Sequence, residues 1–251
     1  MRPTLLVLGG TMEATALARA AAERGMSGVV SFAGRVARPL RQPLPQRVGG
    51  FGGVEGLEAY LKTERITHVI DATHPFAAQM SRNAALACAA TGVPLIALTR
   101  PPWTPAPGDR WTCVADIAGA VSALDRPRLH VMLAVGRMHL AAFAPNPQHR
   151  YLLRLVDPPV GPLPFPEAEV IVDRGPFDAA ADRALMARCG TELVVSKNSG
   201  GAGAYAKIAA ARALGVPVVM IDRPEPPARR EAHEVSEVLD WISHAGAALG
   251  V

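Results

Sequence analysis

Short apolar runs that end in glycine or a polar turn alternate along this 251-residue chain with alanine-rich stretches, and few folds accept that alternation. A run of four to six aliphatic residues suits a strand covered on both faces, while alanine, leucine, glutamate and arginine favour helix. Strands that alternate with helices build a parallel sheet, because each return to the same end of the sheet needs a crossover. The expected strands are Thr4–Leu8, 29–33, 66–72 and 94–98, then 129–135, 151–156, 170–172, 192–196 and 216–221. Helices are expected over 12–24, 54–62, 76–91, 178–189 and 202–214, with a last amphipathic segment at 235–247. Residues 34–53 read as a loop rich in Gly, Pro and Arg. Four prolines between Arg100 and Arg110 fix φ and remove backbone donors, which marks a connector. The expectation is an α/β chain of two Rossmann-like parallel-sheet lobes, residues 1–105 and 106–251, with a ligand cleft between them. No internal repeat of fixed period is visible.

Composition removes several classes of function. Basic residues are dispersed, the formal charge is only +4, and aromatics make up 5% of the chain, so no stacking platform for nucleic acid is evident. No stretch is long and apolar enough to span a bilayer, and the first apolar run is stopped by Gly9 and Gly10, too soon for a signal peptide. A soluble, cytoplasmic protein with no membrane or nucleic-acid partner is expected. Cys88, Cys113 and Cys189 lie far apart with no CxxC, which favours buried thiols over a zinc site or a disulfide framework. No metal is expected. Lysine occurs only at Lys62, Lys197 and Lys207, so the last two stand out in an arginine-rich chain.

Six segments fall where an open α/β sheet binds ligands, at the C-terminal ends of strands. The first is Gly9-Gly10-Thr11-Met12-Glu13: a glycine turn brings backbone close to a phosphate, and the helix start offers N–H groups. Thr11 can cap that helix or donate to phosphate. Ala14 stands where G-x-G-x-x-G requires its third glycine, so an ordinary strand–helix turn remains a competing reading. The second is Ser31-Phe32-Ala33-Gly34-Arg35, where an NAD-binding chain places an acidic residue and this one has none. Ser31 and Arg35 suit a 2′-phosphate, which favours NADPH over NADH. The competing view is that Arg35, Arg38, Arg41 and Arg47 only solvate a loop.

Asp71-Ala72-Thr73-His74-Pro75-Phe76 is the third; capping and first-turn roles explain Thr73 and Pro75, whereas His74 can hydrogen-bond a ligand or move a proton. The fourth, Ser196-Lys197-Asn198-Ser199-Gly200-Gly201, clusters polar residues and glycines at a helix start, a design that binds an anion. Gly136-Arg137-Met138-His139 and Asp173-Arg174-Gly175-Pro176-Phe177 share that placement, with Arg137 and Arg174 either binding carboxylates or lying on the surface.

Together these segments resemble the precorrin-6A reductase family, which includes the cobalt-precorrin-6A reductases. The likeness runs from Leu8-Gly9-Gly10-Thr11-Met12-Glu13-Ala14 through Gly49-Gly50-Phe51-Gly52-Gly53, Asp71-Ala72-Thr73-His74-Pro75-Phe76-Ala77 and Arg100-Pro101-Pro102-Trp103. It continues in Gly136-Arg137, Asp173-Arg174-Gly175-Pro176-Phe177, Ser196-Lys197-Asn198-Ser199-Gly200-Gly201 and Ile221-Asp222-Arg223-Pro224. The resemblance implies reduction of one carbon–carbon double bond of precorrin-6A to give precorrin-6B, with NADPH as hydride donor, an N-terminal lobe for the cofactor and a C-terminal lobe for the substrate. It places Gly9, Gly10, Thr11, Glu13, Ser31, Arg35, Thr73 and His74 at the cofactor. It makes Arg100, Arg137, Arg174, Lys197, Asn198, Ser199, Gly200, Gly201 and Lys207 holders of a polycarboxylated tetrapyrrole. His74, Lys197 and Tyr205 carry groups suited to donate the proton or position the substrate, although water serves as well. Transient channelling with neighbouring cobalamin-pathway enzymes is a further expectation.

Rival readings are a cobalt-precorrin-6A reductase using NADH and a non-catalytic dinucleotide-sensing protein; a methyltransferase with a glycine-rich first loop is disfavoured, because the arginines after the second strand suit phosphate better than adenosylmethionine. A short-chain dehydrogenase is disfavoured because Tyr205 and Lys207 do not make Tyr-x-x-x-Lys.

Overall fold

A computed structural model describes residues 3–34, 40–159, 161–173, 175 and 177–248. The chain begins with β1 (Thr4–Leu8), α1 (Met12–Glu23), β2 (Ser27–Phe32), β3 (Gln46–Val48), α2 (Gly53–Thr63), β4 (His68–Asp71), α3 (Ala78–Thr91) and β5 (Leu95–Leu98). It continues with β6 (Trp111–Val114), α4 (Ile117–Ala123), β7 (His130–Ala134), a 3-10 helix (Arg137–Phe143), β8 (Arg150–Leu155), β9 (Ala168–Val172), α5 (Ala179–Arg188), β10 (Leu193–Lys197), α6 (Ala206–Leu214) and β11 (Val218–Ile221). It ends with β12 (Arg230–Ala232) and α7 (Val235–Ala248). The edge strands β3, β6 and β12 have only three or four residues, and α4 and the 3-10 helix only seven each, too few for a clear apolar pattern in the sequence.

Two compact units result. The first comprises Met1–Arg100 and Glu225–Val251, the second Pro101–Pro224. Their sheets run β3-β2-β1-β4-β5-β12 and β9-β8-β7-β10-β11-β6, and every pairing is parallel. The first is the doubly wound order of a dinucleotide-binding sheet. The second repeats it, so the chain holds a structural repeat that no sequence period announces.

The sixth strand differs in origin. β6 follows β5 in the chain yet pairs with β11, and β12 follows β11 yet pairs with β5. Each unit therefore takes its sixth strand, and the helix after it, from the stretch that would complete the other. Residues 225–251, expected in the second lobe, belong to the first: Val238, Leu239 and Ile242 of α7 are buried with Leu5, Val7, Leu17 and Ile96. An apolar stripe this wide has to be covered, and α1 and β5 cover it. The repeat extends to the crossing points. Arg100-Pro101 and Arg223-Pro224 each begin two residues after the fifth strand of their own unit.

Helices cover both faces of each sheet. In the first unit α2 and α3 pack Leu57, Leu61, Ala84 and Ala87 on Leu6, Leu8 and Val69. In the second, Met186 of α5 and Ile208, Ala210 and Ala211 of α6 pack on Met132, Val194 and Met220. Of the three cysteines expected inside, only Cys88 is buried; Cys189 is half-buried and Cys113 is exposed. Cys113 lies on edge strand β6, where a side chain can reach solvent. Burial pushes the Cys88 thiol up to about 12. No helix among the described residues is long and apolar enough to cross a membrane.

Candidate active site

At the C-terminal edge of the first sheet, β1 runs through Gly9 and Gly10 into α1. Gly10 has φ of 119°, which side-chain-bearing residues rarely adopt, and a Cβ on Gly9 would meet Val30 Cγ1 at 2.9 Å. Bare backbone therefore reaches the edge. Thr11 caps α1: its Oγ1 accepts from the Ala14 N–H at 3.2 Å and donates to the Ala72 carbonyl at 2.8 Å. The single hydroxyl proton is used there, so Thr11 shapes the turn and caps α1. Glu13 and Arg100, expected at different ligands, form an ion pair at 2.6 Å in this unit.

Strand β3 brings an unexpected partner to Ser31. The β2–β3 register sets Ser31 opposite Arg47, and Arg47 Nη1 donates to Ser31 Oγ at 2.8 Å. The same guanidinium donates to the carbonyls of Gly49 and Gly50 and lies 4.0 Å from the Phe51 ring centre. Since Ser31 Oγ accepts from Arg47, its own proton can point to a ligand oxygen. Arg47, read beside Arg35 as loop solvation, is thus fixed in place. Arg35 and Arg38 lie outside the described residues, as does Arg174.

At the end of β4, the buried Asp71 carboxylate organises the Thr73-His74 turn. Its Oδ1 accepts from Thr73 N–H at 3.2 Å and Thr73 Oγ1 at 2.7 Å, and its Oδ2 from Ser81 Oγ at 2.6 Å and from Arg229 Nη1. Arg229 arrives on the segment leading to β12. His74 Nδ1 accepts the Phe76 N–H at 3.2 Å, which in the neutral ring leaves the proton on Nε2.

The second unit's edge is dominated by loop 198–204 between β10 and α6. Lys197 ends β10, half-buried, and Asn198 and Ser199 are buried. Asn198 is clamped to Trp103: its Oδ1 accepts the Trp103 N–H at 2.8 Å and its Nδ2 donates to the Trp103 carbonyl at 2.9 Å. The Trp103 indole N–H reaches the Gly201 carbonyl at 2.8 Å. Gly200 and Gly201 have φ of 66° and 67°. A Cβ on Gly200 would lie 2.2 Å from both the Pro101 carbonyl oxygen and Arg223 Nη2. Tyr205 starts α6 with its hydroxyl against Arg212, which also grips Asp109 through two bonds of 2.9 Å. Lys207, expected on a substrate carboxylate, is 4% exposed and donates to the Ala204 carbonyl at 2.7 Å. Burial first, and then the nearby Arg154 charge, bring its ammonium down to about 7, with Asp182 pulling the other way. Arg137, exposed, opens the 3-10 helix after Gly136, whose φ of 80° echoes Gly10 after β1.

A model of the precorrin-6x reductase CbiJ/CobK family matches residues 4–243. The chain belongs to the precorrin-6x reductase family. The precorrin-6A reductase of Rhodobacter capsulatus is 56% identical to it over 243 residues, 97% of each chain. The cobalt-precorrin-6A reductase of Salmonella typhimurium is 31% identical and covers 88% of each. A solved CobK precorrin-6A reductase matches at a TM-score of 0.94 with 55% identity over 97% of both chains. Among the described candidates, the Gly9-Gly10, Thr73-His74 and 197–201 segments end or follow strands, whereas Glu13 lies in α1, Arg137 in the 3-10 helix, Tyr205 at the N-cap of α6 and Lys207 within it. Arg229, Asp109 and Arg212 carried no sequence signal, since each acts through a partner more than 100 positions away. Among the described residues no group of three or more His, Cys, Asp or Glu side chains is placed to hold a metal ion.

Proposed function

We propose that this protein reduces one carbon–carbon double bond of precorrin-6A, giving precorrin-6B in cobalamin biosynthesis, with NADPH as the reductant. The observation that carries this reading is the likeness to a precorrin-6A reductase over 97% of both chains at 56% identity, against 31% for a cobalt-precorrin-6A reductase. NADPH, when bound, supplies the hydride.

The chain's residues divide the remaining work. The Gly9-Gly10 turn and the start of α1 receive the pyrophosphate. Ser31 donates its hydroxyl proton to the 2′-phosphate, and Arg47, joined by Arg35, supplies positive charge where an NAD-selective sheet carries a carboxylate. Thr73 and His74 border the nicotinamide, and His74 holds a proton at Nε2 for the carbon that does not take the hydride. Lys197, Ser199, the 200–201 backbone, Arg137 and Arg174 hold substrate carboxylates. Glu13 and Arg100 neutralise one another, which keeps a bare carboxylate away from the pyrophosphate.

Mixing the protein with precorrin-6A and NADPH under anaerobic conditions tests the reading. Stoichiometric loss of nicotinamide absorbance with a shifted pigment spectrum is expected, and a slower parallel run with NADH. Consumption only with cobalt-precorrin-6A would move the chain to the cobalt branch, and pigment binding with no NADPH oxidation would make it a binding protein. Replacement of Arg47 by Met should raise the NADPH Michaelis constant at least tenfold more than the NADH one, since a charge-assisted contact contributes ~1.5–3 kcal/mol. Equal effects on both cofactors would remove Arg47 from the phosphate site.

A further inference from the structure

Lys207 occupies a position where an apolar residue would be cheaper. It lies on α6 between Ala206 and Ile208, both buried, and is itself 4% exposed. Among the described residues no carboxylate lies within ion-pair distance of its ammonium; Asp182, whose charge favours the ammonium from farther off, is paired with Arg154 through Oδ1, and its buried Oδ2 has no hydrogen-bond partner. A buried charge without a counter-ion is unfavourable, so an unspecialised helix position would replace it readily. What the ammonium does contact is specific. It donates to the Ala204 carbonyl at 2.7 Å and stands 4.9 Å from the Trp103 ring centre. Trp103 in turn holds the Gly201 carbonyl and both ends of the Asn198 amide. Lys207 and Trp103 thus secure loop 198–204 at Asn198, Gly201 and Ala204, all from the protein side. With the Gly201 and Ala204 carbonyls turned inward, that part of the loop's backbone is fixed by contacts that no ligand makes.

We propose that Lys207 is a positioning residue for substrate binding: it holds the carbonyl side of loop 198–204 through Ala204 and Trp103, and does not touch the tetrapyrrole. This rests on the reading that the loop receives substrate carboxylates.

Three variants separate the possibilities. K207M keeps the side-chain length and removes the ammonium. Its Michaelis constant for precorrin-6A should rise about tenfold, while kcat changes less than threefold and NADPH affinity stays within twofold. K207R, which keeps a donor and a cation, should recover part of the loss. Ionic strength supplies the readout that distinguishes positioning from contact. A lysine that meets a carboxylate contributes to the salt dependence of binding, and a lysine sealed beneath the loop does not. The salt dependence of substrate affinity should therefore run parallel in K207M and the parent, and be shallower in K197M. A K207M that melts no lower than the parent and binds precorrin-6A equally well would overturn the proposal. So would a flattened salt dependence in K207M, which would put Lys207 on a carboxylate. K197M and S199A that both bind substrate normally would instead overturn the assignment of the loop as substrate site, whatever K207M does.

Discussion

Lys207 shows how much one residue can reveal about the balance between stability and activity. Its ammonium falls from the ordinary lysine value of 10.5 to about 7. Between those values the unfolded chain carries a proton that the native chain has released. Unfolding therefore becomes harder as pH rises through that window, by up to about 1.4 kcal/mol per pH unit from this group. K207M lacks the group and the slope. Urea midpoints at pH 6.5 and pH 9 should show K207M ahead of the parent at the lower pH and the gap narrowing at the higher; parallel curves would contradict a buried ammonium. Gly200 is the second residue to test. Alanine there needs a positive φ and places Cβ 2.2 Å from two atoms, one of them a backbone carbonyl. G200A should cost at least about 1–3 kcal/mol of stability and weaken precorrin-6A binding, read by denaturation and by pigment titration.

Among the elements, the turn after β4 depends most on a distant segment. Asp71 accepts four hydrogen bonds, and one comes from Arg229, 158 positions away. D71A would leave a largely buried guanidinium with only Glu231, 3.6 Å away, and release the Thr73 and Ser81 hydroxyls, with an expected loss of about 3 kcal/mol by urea denaturation. The sequence displayed one half of this arrangement. Asp71-Ala72-Thr73-His74 drew notice because polar residues ended an apolar run, a signal that lies within six residues. Arg229 sits in a proline-rich stretch whose local pattern says nothing about where it packs. The same division explains the strands. β1 and the longer central strands were legible from continuous apolar runs, whereas β3, β6 and β12 exist because a neighbouring strand offers unpaired N–H and C=O groups. Arg47 became a candidate partner for Ser31 only when β3 set the two side by side.

For the whole molecule, the exchange of sixth strands decides which pieces of chain can stand alone. Removal of residues 225–251 deletes β12 and α7 and uncovers Val7, Leu17 and Ile96. Each large aliphatic side chain that loses its cover forfeits about 1.5–3 kcal/mol, so a chain ending at Pro224 should lose the cooperative melt of its first unit by circular dichroism while β6 to β11 retain their sheet. A fragment of residues 1–105 should fail to fold for the same reason. Retention of a sharp first-unit transition in either would show that β12 and α7 are accessory. The exchange also has a consequence at the ribosome. Synthesis delivers β1 to β5 first, but the strand that closes their open side emerges almost last, after the entire second unit. Until then β5 presents an unsatisfied row of backbone donors and acceptors to every other nascent chain nearby. Fast overproduction should therefore leave a smaller soluble fraction than slow expression of the same chain, measured at two induction rates.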